Sequence, residues 1–166
     1  PSTDTGLGSM ALIPQIADAV SVPVIAAGGI ADGRGIAAAF ALGASGVQIG
    51  TAFLSSSESG VNPIYREALL RGGEMGTALT RAISGRMARG LRNRYIREMQ
   101  AHEDESLDFP LQYSMTAPIA AASMKKGSDE MLAMWAGQAV ALNRPMPAGE
   151  LVEKLVEEAR DVFAAL

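Results

Sequence analysis

The chain has 166 residues, 48% hydrophobic and 19% charged, enough to bury a core in a soluble globular unit of one domain or a domain and a half. A formal charge of −4 gives no basic surface for nucleic acid or anionic membrane, and the lack of cysteine excludes disulfides, thiolate zinc sites and a cysteine nucleophile. No apolar run reaches the roughly 20 residues that span a bilayer, and the opening residues lack a signal-peptide pattern, so neither nucleic acid nor membrane is an expected partner and a cytoplasmic location is expected.

Residues 1–8 read as loop, entered as if from mid-chain, and Ser9 is placed to cap a helix through "MALIPQIADAV". Leu12, Ile13, Ile16 and Val20 share one face of that helix, and Pro14 requires that it lie in the first turn. "VPVIAAGG" then has the unbroken apolar character of a parallel strand buried on both faces. Asp32 is set to cap the helix "GRGIAAAFALG", ending at Gly43, and "SGVQIGTAFL" is a second buried strand with Gln48 at its centre. The order is that of a βαβ unit.

Beyond Leu54 the pattern changes. "SSSESGVNP" reads as loop, "PIYREALLRGG" as a short helix stopped by paired glycines, and "TALTRAISG" as a strand. "RMARGLRNRYIREMQAH" is expected to be a basic helix ion-paired with the acidic run at Glu103 to Glu105. Two more helices are expected in "PIAAASMKKG" and "SDEMLAMWAGQAVAL", the second capped by Ser128, and "MPAGELVEKLVEEARDVFAAL" closes the chain with a stripe of Leu151, Leu155, Val162 and Leu166.

Glycine after a parallel strand lets the backbone turn tightly and brings its amides within reach of a ligand; beside a helix N-terminus those amides suit phosphate. Gly28 and Gly29 end the first strand while Gly50 and Thr51 end the second, and neighbouring strands bring the two ends together into one anion cradle. The plainer use of such glycines is close strand-to-helix packing. Two glycine-ended strands in succession favour the cradle, and Gln48, if buried, needs a partner that a heterocycle or the adjoining loop could supply.

These segments resemble the second half of the nitronate monooxygenase family, formerly called 2-nitropropane dioxygenases. "VPVIAAGGIADGRGIAAAFALGA" and "GVQIGTAFL" carry the likeness over about 50 residues, and "AISGRMARGLRNRY" and "MWAGQAVAL" extend it toward the C-terminus. The resemblance implies an α/β fold, the C-terminal part of a TIM (β/α)8 barrel with a small, mostly helical inserted domain. Residues 1–60 would form the last βα units, 61–147 the small substrate-side domain and 148–166 the closing barrel helix. It implies FMN as cofactor, with Gly28, Gly29, Gln48, Ile49, Gly50 and Thr51 on its phosphate and ribityl end.

The implied reaction is oxidation of alkyl nitronates by dioxygen to a carbonyl compound and nitrite. The family's catalytic histidine belongs to a Gly-His motif expected upstream of Pro1, within an N-terminal barrel half on which activity depends, so no catalytic residue is assigned in this chain. The alternatives are an FMN-dependent enoyl-acyl-carrier-protein reductase and a half-barrel fragment without activity of its own. Preference among nitronates, use of neutral nitroalkanes and assembly into a homo-oligomer stay open.

Other residues invite roles that their surroundings oppose. His102, the sole histidine, lies among acids in "QAHEDES" and reads as surface. Arg81, Arg86, Arg89, Arg92, Arg94 and Arg97 lack the aromatic interleaving of a single-strand nucleic-acid site, and one of them is free to face a substrate anion. Met131 and Met134 fill core or line an adaptable pocket, Trp135 and Gln138, a turn apart, line a cavity or pack in the core, and no metal-ligand spacing stands out.

Overall fold

A computed structural model describes residues 6–166. Most of the expected opening loop therefore falls outside the described residues. Helix α1 (Ser9–Ala19) leads to strand β1 (Ile25–Ala27), helix α2 (Gly33–Ala41) and strand β2 (Gly46–Gln48). β1 and β2 pair in parallel, with Ile25 opposite Gly46 and Ala27 opposite Gln48. The βαβ reading thus holds.

Asp32 caps α2 as expected, its Oδ1 accepting from the Gly35 amide at 3.1 Å, and Gly43 leaves the helix at φ +95°. Burial would raise the Asp32 pKa, but hydrogen bonds from Arg34 and the Gly35 amide outweigh it and hold the carboxyl below its ordinary value. A lowered acid stabilises the fold above its unfolded-state pKa, and that contribution disappears as pH falls through the folded value. Asp32→Ala is expected to cost about 1 kcal/mol near neutrality. Urea titrations should show the difference from wild type shrinking below about pH 4.

Several expectations are corrected. Gly8, not Ser9, is the N-cap of α1: its extended backbone lets its carbonyl accept from the Ala11 and Leu12 amides, and Ser9 is already helical. Pro14 lies inside α1 rather than in its first turn, which leaves the Met10 carbonyl without its helical donor. Only Ile13 of the predicted apolar face is buried; Leu12, Ile16 and Val20 are exposed. β1 is covered on one side only, where Ala26 meets Ile13, Ala39 and Ala44, while Ile25 is 55% exposed. The second strand stops at Gln48, because Gly50 turns the chain into a short helix α3 (Thr51–Leu54).

Helix α4 (Pro63–Leu70) is capped by Asn62, whose Oδ1 accepts from the Tyr65 amide. The paired glycines do not stop the helical path but open another turn, α5 (Gly72–Met75). Strand β3 (Thr77–Thr80) ends before Arg81 and pairs antiparallel with β4 (Ala88–Leu91). The expected basic helix is therefore a strand in its first part; only α6 (Arg94–Met99), capped by Asn93, is α-helical, and a 3₁₀ turn follows over Gln100–Glu105. Pairing with β3 wins over the helix propensity of arginine because it satisfies the backbone of both strands.

Helix α7 (Leu111–Lys125) begins well before the expected helix and carries Pro118 inside it. The predicted helix over 128–142 is absent. Residues 134–136 instead pair with β4: the Leu91 amide donates to the Met134 carbonyl at 2.8 Å and the Ala136 amide to the Arg89 carbonyl at 3.1 Å. A 3₁₀ turn, Gln138–Leu142, follows.

Helix α8 (Ala148–Ala165) buries Leu151, Leu155 and Ala159. Leu166, placed on the stripe by the sequence, is 94% exposed. α8 packs on α2 so closely that a Cβ on Gly33 would lie 2.3 Å from Glu158 Cβ. Glu158 Oε2 accepts from the Gly33 amide at 3.2 Å, and Arg144 grips both oxygens of the same carboxylate. That guanidinium holds the Glu158 carboxyl below its ordinary value. No helix among the described residues is long and apolar enough to cross a membrane.

Candidate functional site

The two strand ends meet as the sequence suggests. Gly28 and Gly29 leave β1 at φ +94° and +75°, in the left-handed region, and a Cβ on either would meet nothing within 4 Å. An L side chain is disfavoured there by the backbone, and the space in front is open. The Ser9 hydroxyl donates to the Gly28 carbonyl at 3.3 Å, tying the turn to the start of α1.

Across from it, Gly50 is the N-cap of α3 and makes no side-chain capping bond, so no side chain competes for the first amides of that turn. Thr51 is half-buried and accepts through Oγ1 from the Gly137 amide at 2.9 Å. A Cβ on Gly137 would lie 3.4 Å from that hydroxyl and 4.0 Å from the Gly29 nitrogen. Gly29, Thr51 and Gly137 therefore converge on one small volume. Asn143 steadies it, donating through Nδ2 to the Thr51 carbonyl at 3.2 Å and to Ser55 Oγ at 3.1 Å.

Sequence reasoning missed Gly137 and Asn143. Both come to the cradle through the 3₁₀ turn after residue 137, in a segment expected to be one helix. Gln48 is exposed at the end of β2, so the argument from a buried amide does not apply; Ile49 is half-buried and packs toward Leu151 and Leu155. The N-terminus of α2 is no anion receptor either, since Asp32 and Glu158 already occupy its Gly35 and Gly33 amides. The donors left for an anion belong to the glycine turn and to α3.

An arrangement of backbone amides without a carboxylate among its converging residues suits phosphate. The space in front of Gly28 and Gly29, where a Cβ would meet nothing within 4 Å, leaves room for a ligand.

The remaining candidates fall elsewhere. His102 is exposed and pairs with Glu105 at 2.9 Å. The arginines do not face Glu103 to Glu105: Arg81 pairs with Asp108, Arg94 with Glu98 and Glu130, and Arg86 lies 4.5 Å over the Phe109 ring. Arg89 is half-buried and donates to Thr77 Oγ1. Met134 is core and Met131 half-buried. Trp135 and Gln138 are not on a common helix; the Trp135 carbonyl accepts from the Tyr65 hydroxyl, and burial pushes the Tyr65 pKa up to about 12.

The family model described as "Nitronate monooxygenase" matches residues 1–158. A Staphylococcus aureus (strain Newman) protein described as "Probable nitronate monooxygenase" is 42% identical over 157 residues, covering 95% of this chain and 44% of that protein. The chain thus spans less than half the length of such curated relatives. Among solved structures, nitroalkane oxidase from Streptomyces ansochromogenes superposes with a TM-score of 0.92 at 40% identity, over 99% of this chain and 48% of that one. FabK from Thermotoga maritima gives 0.81 at 35% identity, over 96% and 51%. A match across nearly the whole chain settles the kinship: the chain belongs to the nitronate monooxygenase family.

Proposed function

We propose that this chain supplies the phosphate-binding end of an FMN site, in the C-terminal part of a TIM barrel whose small inserted domain spans 61–147, and that the whole protein oxidises alkyl nitronates. In the balanced reaction two nitronates and one dioxygen give two carbonyl compounds and two nitrites. The observation that carries the reading is the convergence of Gly29, Thr51 and Gly137 before an open volume.

The Gly28–Gly29 turn and the first turn of α3 would hold the phosphate through backbone amides, and Gln48, Ile49 and Gly50 would face the ribityl chain. Gly137 closes the same end by its bond to Thr51. FMN, when bound, would supply the redox chemistry, and a nitronate is already a carbanion equivalent. No strong base is required of this chain for that step, and none of its residues is assigned one. The substrate side is formed by the small domain, where β4 and 134–136 carry the chain back to the cradle.

The likeness to FabK favours a second reading, a flavin-dependent enoyl reductase on a similar scaffold. Anaerobic spectroscopy of the purified full-length protein separates the two. Bound FMN bleached by ethyl nitronate is the expected result. Reduced flavin reoxidised stoichiometrically by an enoyl thioester, with no response to nitronate, would favour the reductase; a colourless protein that refuses added FMN would overturn both.

A further inference from the structure

The 3₁₀ turn after the returning strand holds both polar groups of one cradle residue. At its start the Gly137 amide donates to Thr51 Oγ1 at 2.9 Å, and at its end Asn143 Nδ2 donates to the Thr51 carbonyl at 3.2 Å. Backbone bonds tie the turn internally, the Val140 amide to the Gly137 carbonyl at 3.2 Å and the Asn143 amide to the Val140 carbonyl at 3.1 Å. The two donors are thereby fixed relative to each other. Val140 seats the turn: it is buried, and a Cβ on Gly72 would lie 2.4 Å from its Cγ2.

We propose that Asn143 is a positioning residue for the cofactor phosphate, holding the Thr51 backbone so that the Thr51 hydroxyl donates to the anion; the assignment rests on the FMN reading. That hydroxyl accepts from Gly137, and no hydrogen bond among the described residues uses its own hydrogen. Asn143 in turn acts only as a donor. Its Nδ2 also donates to Ser55 Oγ at 3.1 Å, while its Oδ1 is buried without a partner among the described residues. Turning the amide over would set that oxygen against the Thr51 carbonyl. A buried acceptor left unpaired is a cost that an apolar filler of the same size avoids, so packing alone does not account for an asparagine here.

The reach of Asn143 is fixed from behind by its neighbour. Its backbone is extended, at φ −61° and ψ 138°, which turns successive side chains to opposite sides. Asn143 goes to α3 and Arg144 to α8, where Arg144 grips both oxygens of the Glu158 carboxylate that also accepts from the Gly33 amide. One dipeptide thus ties the cradle to the packed pair of α2 and α8, and support from such rigid elements keeps a binding group in register.

The test compares FMN with riboflavin, the same flavin without its phosphate, by fluorescence titration of the full-length protein stripped of flavin. Wild type is expected to bind FMN at least about 100-fold more tightly, through charge-assisted hydrogen bonds to the phosphate. Asn143→Ala should weaken FMN about tenfold and riboflavin less than about twofold. Asn143→Asp keeps the shape and, as a carboxylate, has no hydrogen to give the Thr51 carbonyl, so its preference for FMN should fall at least as far. A merely structural loss weakens both flavins alike and leaves that preference unmoved; melting temperatures without flavin read it separately. In a wild type that prefers FMN, equal losses for both flavins, or an undiminished preference in both variants, would overturn the role of Asn143 and keep the cradle. Wild type binding both flavins equally would overturn the cradle, and the role of Asn143 with it.

Discussion

If the cradle holds FMN as proposed, Gly29→Asp is expected to lower FMN affinity at least 100-fold. Two effects add. The residue sits at φ +75°, where an L side chain costs about 1–3 kcal/mol of backbone strain. The new carboxylate also enters the open volume proposed for the phosphate, and two unit charges about 5 Å apart at an effective dielectric of ~20 repel by about 3 kcal/mol. At 1.4 kcal/mol per tenfold, the strain is worth about fivefold upward and the repulsion more than 100-fold, and a 100-fold loss needs only about 2.7 kcal/mol. Gly29→Ala separates them, since it keeps the strain and omits the charge; a loss of about tenfold is expected. Flavin-fluorescence titration of the apo-protein measures both variants, and their melting temperatures without FMN check that the fold survives. A Gly29→Asp protein that titrates like wild type would show that the phosphate lies elsewhere.

Gly33→Ala is expected to lower the melting temperature by 6–12 °C, a loss of about 3 kcal/mol at roughly 2–4 °C per kcal/mol. The added methyl would stand 2.3 Å from Glu158 Cβ and 2.4 Å from the Ala159 amide nitrogen. The second of these is backbone, so no rotamer change relieves the overlap. Helix α8 has to move off α2, which loosens Leu151, Leu155 and Ala159 in the shared core and pulls Glu158 from the Gly33 amide. Gly35→Ala is the control. Its Cβ would meet Ile30 Cγ2 at 3.3 Å, a contact with a side chain that can give, and its effect should stay within about 1 kcal/mol. Equal melting temperatures for the two variants would mean that the helix contact is slack.

The cradle was legible because it is written in local signals. Asp32 before a helix, Gly43 after it and glycines after two apolar runs each act on their own neighbours, and the structure places them as read. The region beyond Leu54 was harder because its decisive contacts are distant in sequence. Ser128 and the apolar run after it have the local marks of a helix, yet β4 offers residues 134–136 an antiparallel partner about 45 positions away. Local propensity carries no trace of that pairing. Gly90 was the available hint, since a Cβ there would come within 2.9 Å of the Met134 carbonyl oxygen. Helix α7 was half missed because Pro118 inside it looks like a start. Gln48 was misjudged for another reason: period and hydrophobicity mark a strand, but not whether its end is covered.

The bond between the Gly137 amide and the Thr51 hydroxyl joins residues 86 positions apart. Closing a loop of that length costs entropy before any contact repays it. The two halves of the cradle therefore rest on contacts of different range. The glycine turn and α3 are set by neighbours in sequence, whereas the position of Gly137 also depends on the pairing of residues 134–136 with β4. The bond that closes this end of the sheet thus ties two segments far apart in the chain, so losing it would be felt in both.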